Sequence, residues 1–192
     1  MSPLVTDDDI SAVSEQMRSF WIGRGERVRA LEIAMADWVG VDHAVAFGSG
    51  TAALSMAVKL LGRPVRPPDV CCAAVIDAIR FAGLEPTYND GDARITIYPD
   101  RGVDIEDFAR HLPKKHEIRL TGRFGVFSFG ALKDVSGGLG GCLVSNEPLD
   151  GGVLAKVSPL SDINAAMILS QLSRYEGKSD RLVAGGMTWR LK

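Results

Sequence analysis

The sequence predicts an α/β protein, a three-layer sandwich around a mostly parallel sheet. Short apolar runs typical of strands alternate along the chain with longer segments of helical spacing, and glycine or proline turns separate them. The chain has 192 residues, 46% of them hydrophobic, which is enough to bury a sizeable core. Together, the alternation and the composition favour one compact domain, with at most an appended helical piece.

The first third of the chain contains the clearest elements. A helix is predicted behind the capping residue Thr6, with apolar residues at helical spacing: Ile10, Val13, Met17 and Phe20. A second helix is predicted within 25–40, with Gly40 as its C-cap. The segment 43–62 then predicts a buried strand, a glycine turn and a helix, which together form half of a βαβ unit.

The later elements are predicted from shorter patterns. Pro67 and Pro68 end a loop before an apolar segment, and a strand-like stretch follows Gly83. The further predictions, in chain order, are strands in LEPTYND (84–90) and ARITIYPD (93–100), a helix from the cap Asp104 to Pro113, one or two strands over 116–130, a strand in GGCLVSN (140–146) and a helix in DINAAMILSQLSRYEG (162–177).

The charge balance and the absence of long apolar runs exclude several classes of function. With 22 basic and 24 acidic residues, the chain has no basic field for nucleic acid, so we expect a small molecule or a protein as its partner. The opening residues lack the cationic and apolar pattern of a leader, so we expect none, and no apolar run approaches the length of a membrane span. We therefore expect no membrane partner and a cytoplasmic location.

The cysteines and histidines predict neither disulfides nor a metal site. The three cysteines, Cys71, Cys72 and Cys142, form no even framework and no CxxC pair, so we expect reduced thiols packed as small hydrophobes. The histidines, His43, His111 and His116, share no metal-ligand spacing.

The turn FGSGTAAL at 47–54 is the first candidate site. A strand that ends in Gly48 to Thr51 and leads directly into a helix aims free backbone N–H groups and the positive end of the helix dipole at one point, which suits an anion. No GK[ST] follows the glycines, and the G-x-G-x-x-G pattern is incomplete, so the turn is neither a P-loop nor a dinucleotide fingerprint. A tight turn that merely feeds a helix is the alternative.

The stretch FSFGALKDVSGGLGG at 127–141 is the second candidate. Lys133, beside a predicted strand end, could be desolvated enough to act as a nucleophilic amine, and the alternative is a surface lysine. If Phe127 and Phe129 face the core, Ser128 faces the opposite side, where its hydroxyl could meet a ligand. A phosphate cradle and an amine that can form a Schiff base are the minimal demand of pyridoxal phosphate chemistry.

These motifs resemble the DegT/DnrJ/EryC1/StrS family of sugar aminotransferases, which have the aspartate-aminotransferase-type fold (fold type I of the pyridoxal phosphate enzymes). Residues 23–58 resemble the family's N-terminal helix and SGT phosphate loop. Residues 127–146 are similar to its SF-x-x-x-K-x-x-x-x-G-x-GG signature, and 161–175 to the helix that follows. The resemblance thus rests on separate motifs in the family's order.

The resemblance implies pyridoxal 5'-phosphate as the cofactor. It implies that Lys133 forms the Schiff base, that Ser128 contacts the cofactor phosphate, and that Ser49, Gly50 and Thr51 supply further phosphate contacts. The implied activity is transfer of an amino group from a small-molecule donor to a nucleotide-linked keto sugar, as in polysaccharide biosynthesis, by a homodimer. The implied domains are an aminotransferase-like large domain at 1–155 and a helical segment at 156–192, the remnant of a mostly absent small domain.

Several departures from the family pattern accompany the resemblance. The family's ED-x-A motif, whose aspartate pairs with the pyridinium nitrogen, is expected to be missing between Glu117 and Phe124. Asp77 and Asp104 are the acids to examine as substitutes, although a helix-starting or capping role explains each. The aromatic residue that stacks on the cofactor ring would fall near Cys71 and Cys72, where no aromatic residue occurs.

The remaining departures concern the partner chain and the class of function. Val157 and Pro159 stand where the family has a partner-chain asparagine and an arginine, which they cannot replace. A degenerate, non-catalytic relative that serves as a binding or partner subunit is therefore the alternative function. An anion-binding protein that uses the SGT loop alone is a third hypothesis.

Overall fold

Helices and short strands alternate along the part of the chain that the computed structural model describes, residues 5–89, 91–98 and 100–176. The helices are α1 (Asp7–Arg18), α2 (Glu26–Val39), α3 (Gly50–Leu61), α4 (Ala73–Phe81), α5 (Gly151–Leu154) and α6 (Asp162–Leu172). The strands are β1 (His43–Phe47), β2 (Val65–Arg66), β3 (Ala93–Ile97), β4 (Ile105–Asp107), β5 (Phe124–Ser128) and β6 (Gly141–Ser145).

The strands form one six-stranded sheet in the order β1-β6-β5-β4-β3-β2. Strands β2 to β5 are parallel neighbours, whereas β6 is antiparallel to both β1 and β5. Every strand except β6 therefore runs in one direction, and their carboxyl ends meet at one edge of the sheet. The predicted, mostly parallel sheet is confirmed, and this edge is where ligands bind in open α/β sheets.

Two hydrophobic cores, one on each face of the sheet, produce the predicted three layers. Helices α3 and α4 pack on one face, against buried strand residues that include Val45, Ile105 and Val126. Helices α2 and α6 pack on the other face, against residues that include Ala46 and Phe127. Both faces of the central strands β5 and β6 are buried, so these strands are apolar up to their terminal serines and show little alternation, whereas β4 carries the buried acids Glu106 and Asp107.

Helix α1 forms as predicted, but its apolar series faces solvent. Ile10, Met17 and Phe20 are 56%, 58% and 96% exposed, whereas the polar residues Asp9 and Gln16 are the buried ones. Asp9 accepts hydrogen bonds from the Thr6 N–H at 2.9 Å and from Arg174, which follows α6. Polar contacts on its buried side therefore fix α1 in place.

The structure overturns two predictions of local structure. The described residues of the predicted strand LEPTYND, 84–89, form no strand, and the helix predicted behind Asp104 is a strand, β4, followed by a turn. Ile105, Phe108, Ala109 and Leu112 do have helical spacing. Pairing of β4 with β3 on one side and β5 on the other satisfies the backbone instead, so the tertiary contacts outweigh the local pattern.

The cysteines of the described residues are all free thiols, in agreement with the sequence. Cys142 is buried in the core and Cys71 is half-buried, but Cys72 is exposed, so the expectation that all of them pack as hydrophobes is wrong for Cys72. Within the described ranges, no helix is long and apolar enough to cross a membrane. The domain division at residue 155 stays a prediction, and 177–192 lie outside the described residues.

Candidate functional site

A cavity of about 240 Å³ opens at the carboxyl edge of the sheet, where β1, β4 and β5 end. All of the site residues predicted from the sequence line this cavity: Ser49, Gly50, Thr51, Ser128 and Lys133. They come from the β1–α3 turn and from the end of β5, which the sheet brings together although another strand, β6, lies between β1 and β5.

The start of α3 forms one wall of the cavity. Ser49 is the N-cap of this helix, and its hydroxyl oxygen accepts a hydrogen bond from the Ala52 N–H at 3.1 Å. The N–H groups of the first turn have no partner further back in the helix, and the helix dipole adds positive potential there. This wall therefore suits an anion, as the glycine-rich turn predicts.

Two glycines allow the strand ends to approach the start of α3 closely. A Cβ atom at Gly50 would lie 2.7 Å from the Ser128 Cβ, and one at Gly141 would overlap the Ser49 carbonyl oxygen. Neither position has room for a side chain, because a neighbouring residue already occupies the space. The glycines of the SGT turn and of the GG pair are thus required by packing at the edge of the sheet.

Alternation along β5 presents Ser128 to the cavity. Phe127 and the adjoining Phe129 are each 1% exposed and pack into the core beneath α2 and α6, while Ser128 is half-buried and lines the cavity. The alternation expected from the sequence is therefore present in the structure.

Lys133 follows β5 in a turn and extends into the cavity. Its backbone N–H donates to the Gly130 carbonyl oxygen at 3.0 Å, and its side chain is half-buried among the lining residues. In the part of the chain that the structure describes, Lys133 forms no ion pair. A primary amine that faces a cavity without a salt-bridge partner can react as a nucleophile when it loses its proton.

Asp107 is a further lining residue, and the sequence analysis did not identify it. It ends β4, is 6% exposed, and its Oδ1 accepts a hydrogen bond from the Ala109 N–H at 2.8 Å. Burial raises the pKa of this carboxyl group, while that hydrogen bond and the charges of Lys133 and Arg110 act in the opposite direction. Among the described residues it forms no ion pair, so the buried acid faces the cavity near the Lys133 and Arg110 charges but in salt-bridge contact with neither.

Asp107 corrects the expectation that the ED-x-A motif is missing. Residues 106–109 read EDFA and therefore contain the motif, upstream of the segment in which its absence was expected. The motif can be found in the sequence. The apolar residues around it have helical spacing, however, and this spacing predicted a helix where the structure has the short strand β4.

Neither acid considered as a substitute reaches the cavity. Asp104 lies before β4, at the opposite end of that strand from Asp107, and its carboxylate binds Arg63 Nη2 at 2.5 Å and the Arg94 N–H at 2.9 Å. Asp77 is exposed on α4 and is absent from the lining residues. Both candidates are therefore wrong, and Asp104 is not a helix cap.

The opposite wall of the cavity contains Cys72, at the N-terminus of α4, together with Ala74 and Val75. No aromatic side chain occurs among the lining residues that the structure describes. No group of three or more metal-ligating side chains occurs in the described ranges either.

Comparison with known proteins identifies related sequences. The model of the DegT/DnrJ/EryC1/StrS aminotransferase family matches residues 3–101. A dTDP-4-dehydro-2,3,6-trideoxy-D-glucose 4-aminotransferase of Saccharopolyspora spinosa is 35% identical over 129 residues, 64% of this chain and 32% of that protein. The spore coat polysaccharide biosynthesis protein SpsC of Bacillus subtilis is 26% identical over an alignment of 190 residues. That alignment covers 76% of this chain and 48% of SpsC.

Comparison with solved structures extends the similarity past residue 101. The fold is similar to that of Helicobacter pylori PseC, an aminotransferase involved in the biosynthesis of pseudoaminic acid, with a TM-score of 0.76 and 19% identity. The alignment covers 90% of this chain and 64% of PseC. The chain thus spans a third to a half of these curated relatives and less than two thirds of this structural neighbour.

Proposed function

Because the chain belongs to the DegT/DnrJ/EryC1/StrS aminotransferase family, we propose that it binds pyridoxal phosphate through Lys133 and transfers an amino group to a nucleotide-linked keto sugar. One observation carries this proposal: a single cavity is lined by the Lys133 amine, the Asp107 carboxylate, the Ser128 hydroxyl and the start of α3. These are the chemical groups that such a cofactor needs from a protein.

The residues of the cavity fit the cofactor in charge and in kind. The start of α3 and the Ser128 hydroxyl can hold the phosphate, because both offer hydrogen-bond donors to an anion. Asp107 is buried and has no ion pair with any residue that the structure describes, which costs free energy unless a cation binds next to it, and a protonated pyridine nitrogen is such a cation. The buried acid is therefore the observation that most favours a pyridinium ligand over a simple anion.

Two residues would divide the chemistry between them. Bound pyridoxal phosphate supplies an electron sink for the carbon atom that loses its proton. The Asp107 carboxylate would stabilise a proton on the ring nitrogen, which would make that sink effective. The Lys133 Nζ would hold the cofactor, and as a free amine it would be the base inside the cavity that accepts and returns a proton.

The relatives support the proposed class of substrate. The S. spinosa relative is named for amino transfer to a dTDP-linked keto sugar, and SpsC is named for polysaccharide biosynthesis. Since the chain spans only part of these proteins, the amino donor, the keto sugar, a homodimer and a cytoplasmic location are all parts of the proposal. The non-catalytic alternative drew its force from a missing aspartate and a mostly absent small domain, and Asp107 removes the first of these two arguments.

An absorbance spectrum tests the cofactor. Purified protein with added pyridoxal phosphate should absorb at about 400–430 nm, and borohydride should fix a covalent adduct on the peptide that contains Lys133. Lys133→Ala should lose both signals. Lys156→Ala, which removes an exposed lysine outside the cavity, should keep them. A band that survives Lys133→Ala, or no band in the parent protein, contradicts the proposal.

Turnover separates an enzyme from a binding protein. Addition of glutamate should shift the absorbance of the bound cofactor towards that of its amine form. A cofactor that stays bound and unchanged with a series of amino donors would contradict amino transfer and favour the non-catalytic alternative.

A further inference from the structure

Asp134 directly follows Lys133 in the chain but does not line the cavity that Lys133 enters. Only 7% of the Asp134 side chain is exposed. Burial of a carboxylate costs free energy unless hydrogen bonds compensate for the lost water. The two residues belong to the turn formed by residues 130–137, which we call the lysine turn. The contacts of Asp134 show how this turn is held.

Groups from two other segments surround the Asp134 carboxylate. Its Oδ2 accepts a hydrogen bond from the Leu112 N–H at 3.0 Å and a longer one from the Tyr175 hydroxyl at 3.4 Å. The same hydroxyl donates to the Leu112 carbonyl oxygen at 2.7 Å. His111 Nδ1 lies 3.3 Å from Oδ2 but forms no hydrogen bond with it. Leu112 follows β4 and Tyr175 follows α6, so Asp134 joins both elements to the lysine turn.

The Tyr175 hydroxyl is a lasting donor in this junction. Burial, and then the charge of Asp134, raises the pKa of Tyr175, so the hydroxyl keeps the proton that it donates. The Tyr175 ring also packs near Trp38 of α2, with ring centroids 6.1 Å apart. Tyr175 is therefore fixed on the ring side as well as at its hydroxyl.

Helix α6 holds the end of the lysine turn. Gln171 Oε1 accepts a hydrogen bond from the Ser136 N–H at 2.8 Å, and Asn164 Nδ2 donates to the Gly137 carbonyl oxygen at 2.7 Å. Asn164, Ile168 and Gln171 have the spacing of one helix face. A Cβ at Gly137 would lie 2.7 Å from the Ile168 Cγ1, so the turn lies directly against this face.

The start of the lysine turn is more open. Ala131 and Leu132 are exposed, Leu132 to 82%, and the Lys133 N–H donates to the Gly130 carbonyl oxygen within the turn itself. Among the contacts that the structure describes, Asp134 is thus the side chain nearest in sequence to Lys133 that ties the turn to other elements. Because the two residues are adjacent, an anchored Asp134 restricts the backbone that directs the lysine.

We propose that Asp134 is a positioning residue for Lys133, and that the Leu112 N–H and the Tyr175 hydroxyl hold Asp134 in place. This rests on the proposed function, in which Lys133 is the reactive amine. A nucleophile is effective only when it is held close to its productive geometry by residues that are themselves locked in position. Hydrogen bonding carries the role, so an amide at position 134 should replace the carboxylate and a methyl group should not.

Trace labelling of the ligand-free full chain with acetic anhydride tests this role without the cofactor. Peptide mass spectrometry gives the labelling of the half-buried Lys133 relative to that of the exposed Lys156 in the same sample. Asp134→Ala should raise this ratio about threefold or more, because the freed turn opens the amine to solvent. Asp134→Asn, which keeps an acceptor for the Leu112 N–H, should keep the ratio of the parent. Tyr175→Phe should raise the ratio, though by less than Asp134→Ala.

A second measurement is the binding of pyridoxal phosphate. Asp134→Ala should weaken it about tenfold, and Asp134→Asn should restore it. Asp104→Asn is the matched control, because it alters another buried carboxylate at the opposite end of β4 and should leave the labelling ratio unchanged. Thermal unfolding checks that each variant is folded.

The outcomes separate this proposal from the cofactor proposal. An unchanged labelling ratio in Asp134→Ala, or an equal rise in Asp104→Asn, would overturn the positioning role even if pyridoxal phosphate binds. If Asp134→Ala does not fold, Tyr175→Phe decides, and an unchanged ratio in that variant would overturn the proposal. A parent protein that binds no pyridoxal phosphate would contradict the proposed function, whereas the labelling ratios would still report on the lysine turn.

Discussion

Asp107 and Lys133 lie in the same cavity, close enough for the lysine charge to lower the pKa that burial raises in the aspartate. Asp107 ends β4 and Lys133 follows β5, the adjacent parallel strand, so the sheet itself sets their separation. An acid and an amine at the ends of neighbouring strands can contact opposite parts of one ring-shaped ligand. The predictions that follow concern this pair and the elements that support it.

Asp107→Asn should stabilise the ligand-free protein at neutral pH and weaken cofactor retention. Burial raises the pKa of Asp107, so the folded state is penalised when this group is charged. That penalty is absent below the pKa of an unfolded carboxyl group, about 3.9, and grows as the pH rises. Thermal unfolding should therefore give a melting temperature above that of the parent at pH 7 and equal to it in acid. Equal melting temperatures at both pH values would contradict an ionised, penalised Asp107.

Ser128→Ala should weaken the binding of pyridoxal phosphate about tenfold to a hundredfold, the value of one hydrogen bond to a charged group. Pyridoxal, which lacks the phosphate, should bind the variant and the parent equally, because Ser128 is proposed to contact the phosphate alone. Spectroscopic titration with both compounds measures the difference. A parallel loss for pyridoxal would assign Ser128 to another part of the ligand.

Gly50→Ala should disrupt the phosphate wall. The new Cβ would lie 2.7 Å from the Ser128 Cβ, so either α3 or the end of β5 must move. We expect a loss of about 1–3 kcal/mol in the free energy of unfolding and at least tenfold weaker cofactor binding. The matched control is Gly152→Ala, whose Cβ would meet only the Asp150 Oδ1, at 3.4 Å. If Gly50→Ala left both the free energy of unfolding and cofactor binding unchanged, the start of α3 would be able to move away without cost.

The contact between Asp9 and Arg174 should make the free energy of unfolding depend on pH, with a loss of stability in acid. Burial alone would raise the pKa of Asp9, but the hydrogen bonds from Arg174 and the Thr6 N–H lower it to about 2. A lowered pKa contributes stability above the unfolded value, and that stability is lost as the pH falls from about 4 towards 2. Asp9→Asn should therefore cost about 2 kcal/mol at pH 7 and less in acid. Asp8→Asn, on the exposed side of α1, is the control and should change little.

Cys72 should be the first thiol to react with an alkylating reagent, and bound cofactor should protect it. Cys72 is exposed and lines the cavity, whereas Cys142 is buried, and burial raises the pKa of the Cys142 thiol. Mass spectrometry of partly labelled protein identifies the modified peptide. Equal labelling of Cys72 with and without pyridoxal phosphate would argue that the ligand does not occupy this cavity.

Much of the fold and of the candidate site follows from local sequence signals. Local patterns are enough to find the SGT turn, Ser128 of β5 and Lys133, because glycines, strand alternation and a lysine occur there at characteristic spacings. The sheet then brings these residues into one cavity. Asp107 could not be placed in the same way. Its segment has the spacing of a helix, and only pairing with β3 and β5 makes it a strand.

The sequence by itself determined the alternation of helices and strands, the glycine turns and the residue types at the carboxyl edge, because these depend on neighbours along the chain. Only the tertiary structure decided which side of α1 is buried, since Asp9 finds Arg174 far away in the sequence. It also decided that Asp107 and Lys133 line one cavity and that Arg66 and Arg94 are register partners in adjacent strands. Strand order and register set these relationships, and both arise from contacts between segments that no local pattern records.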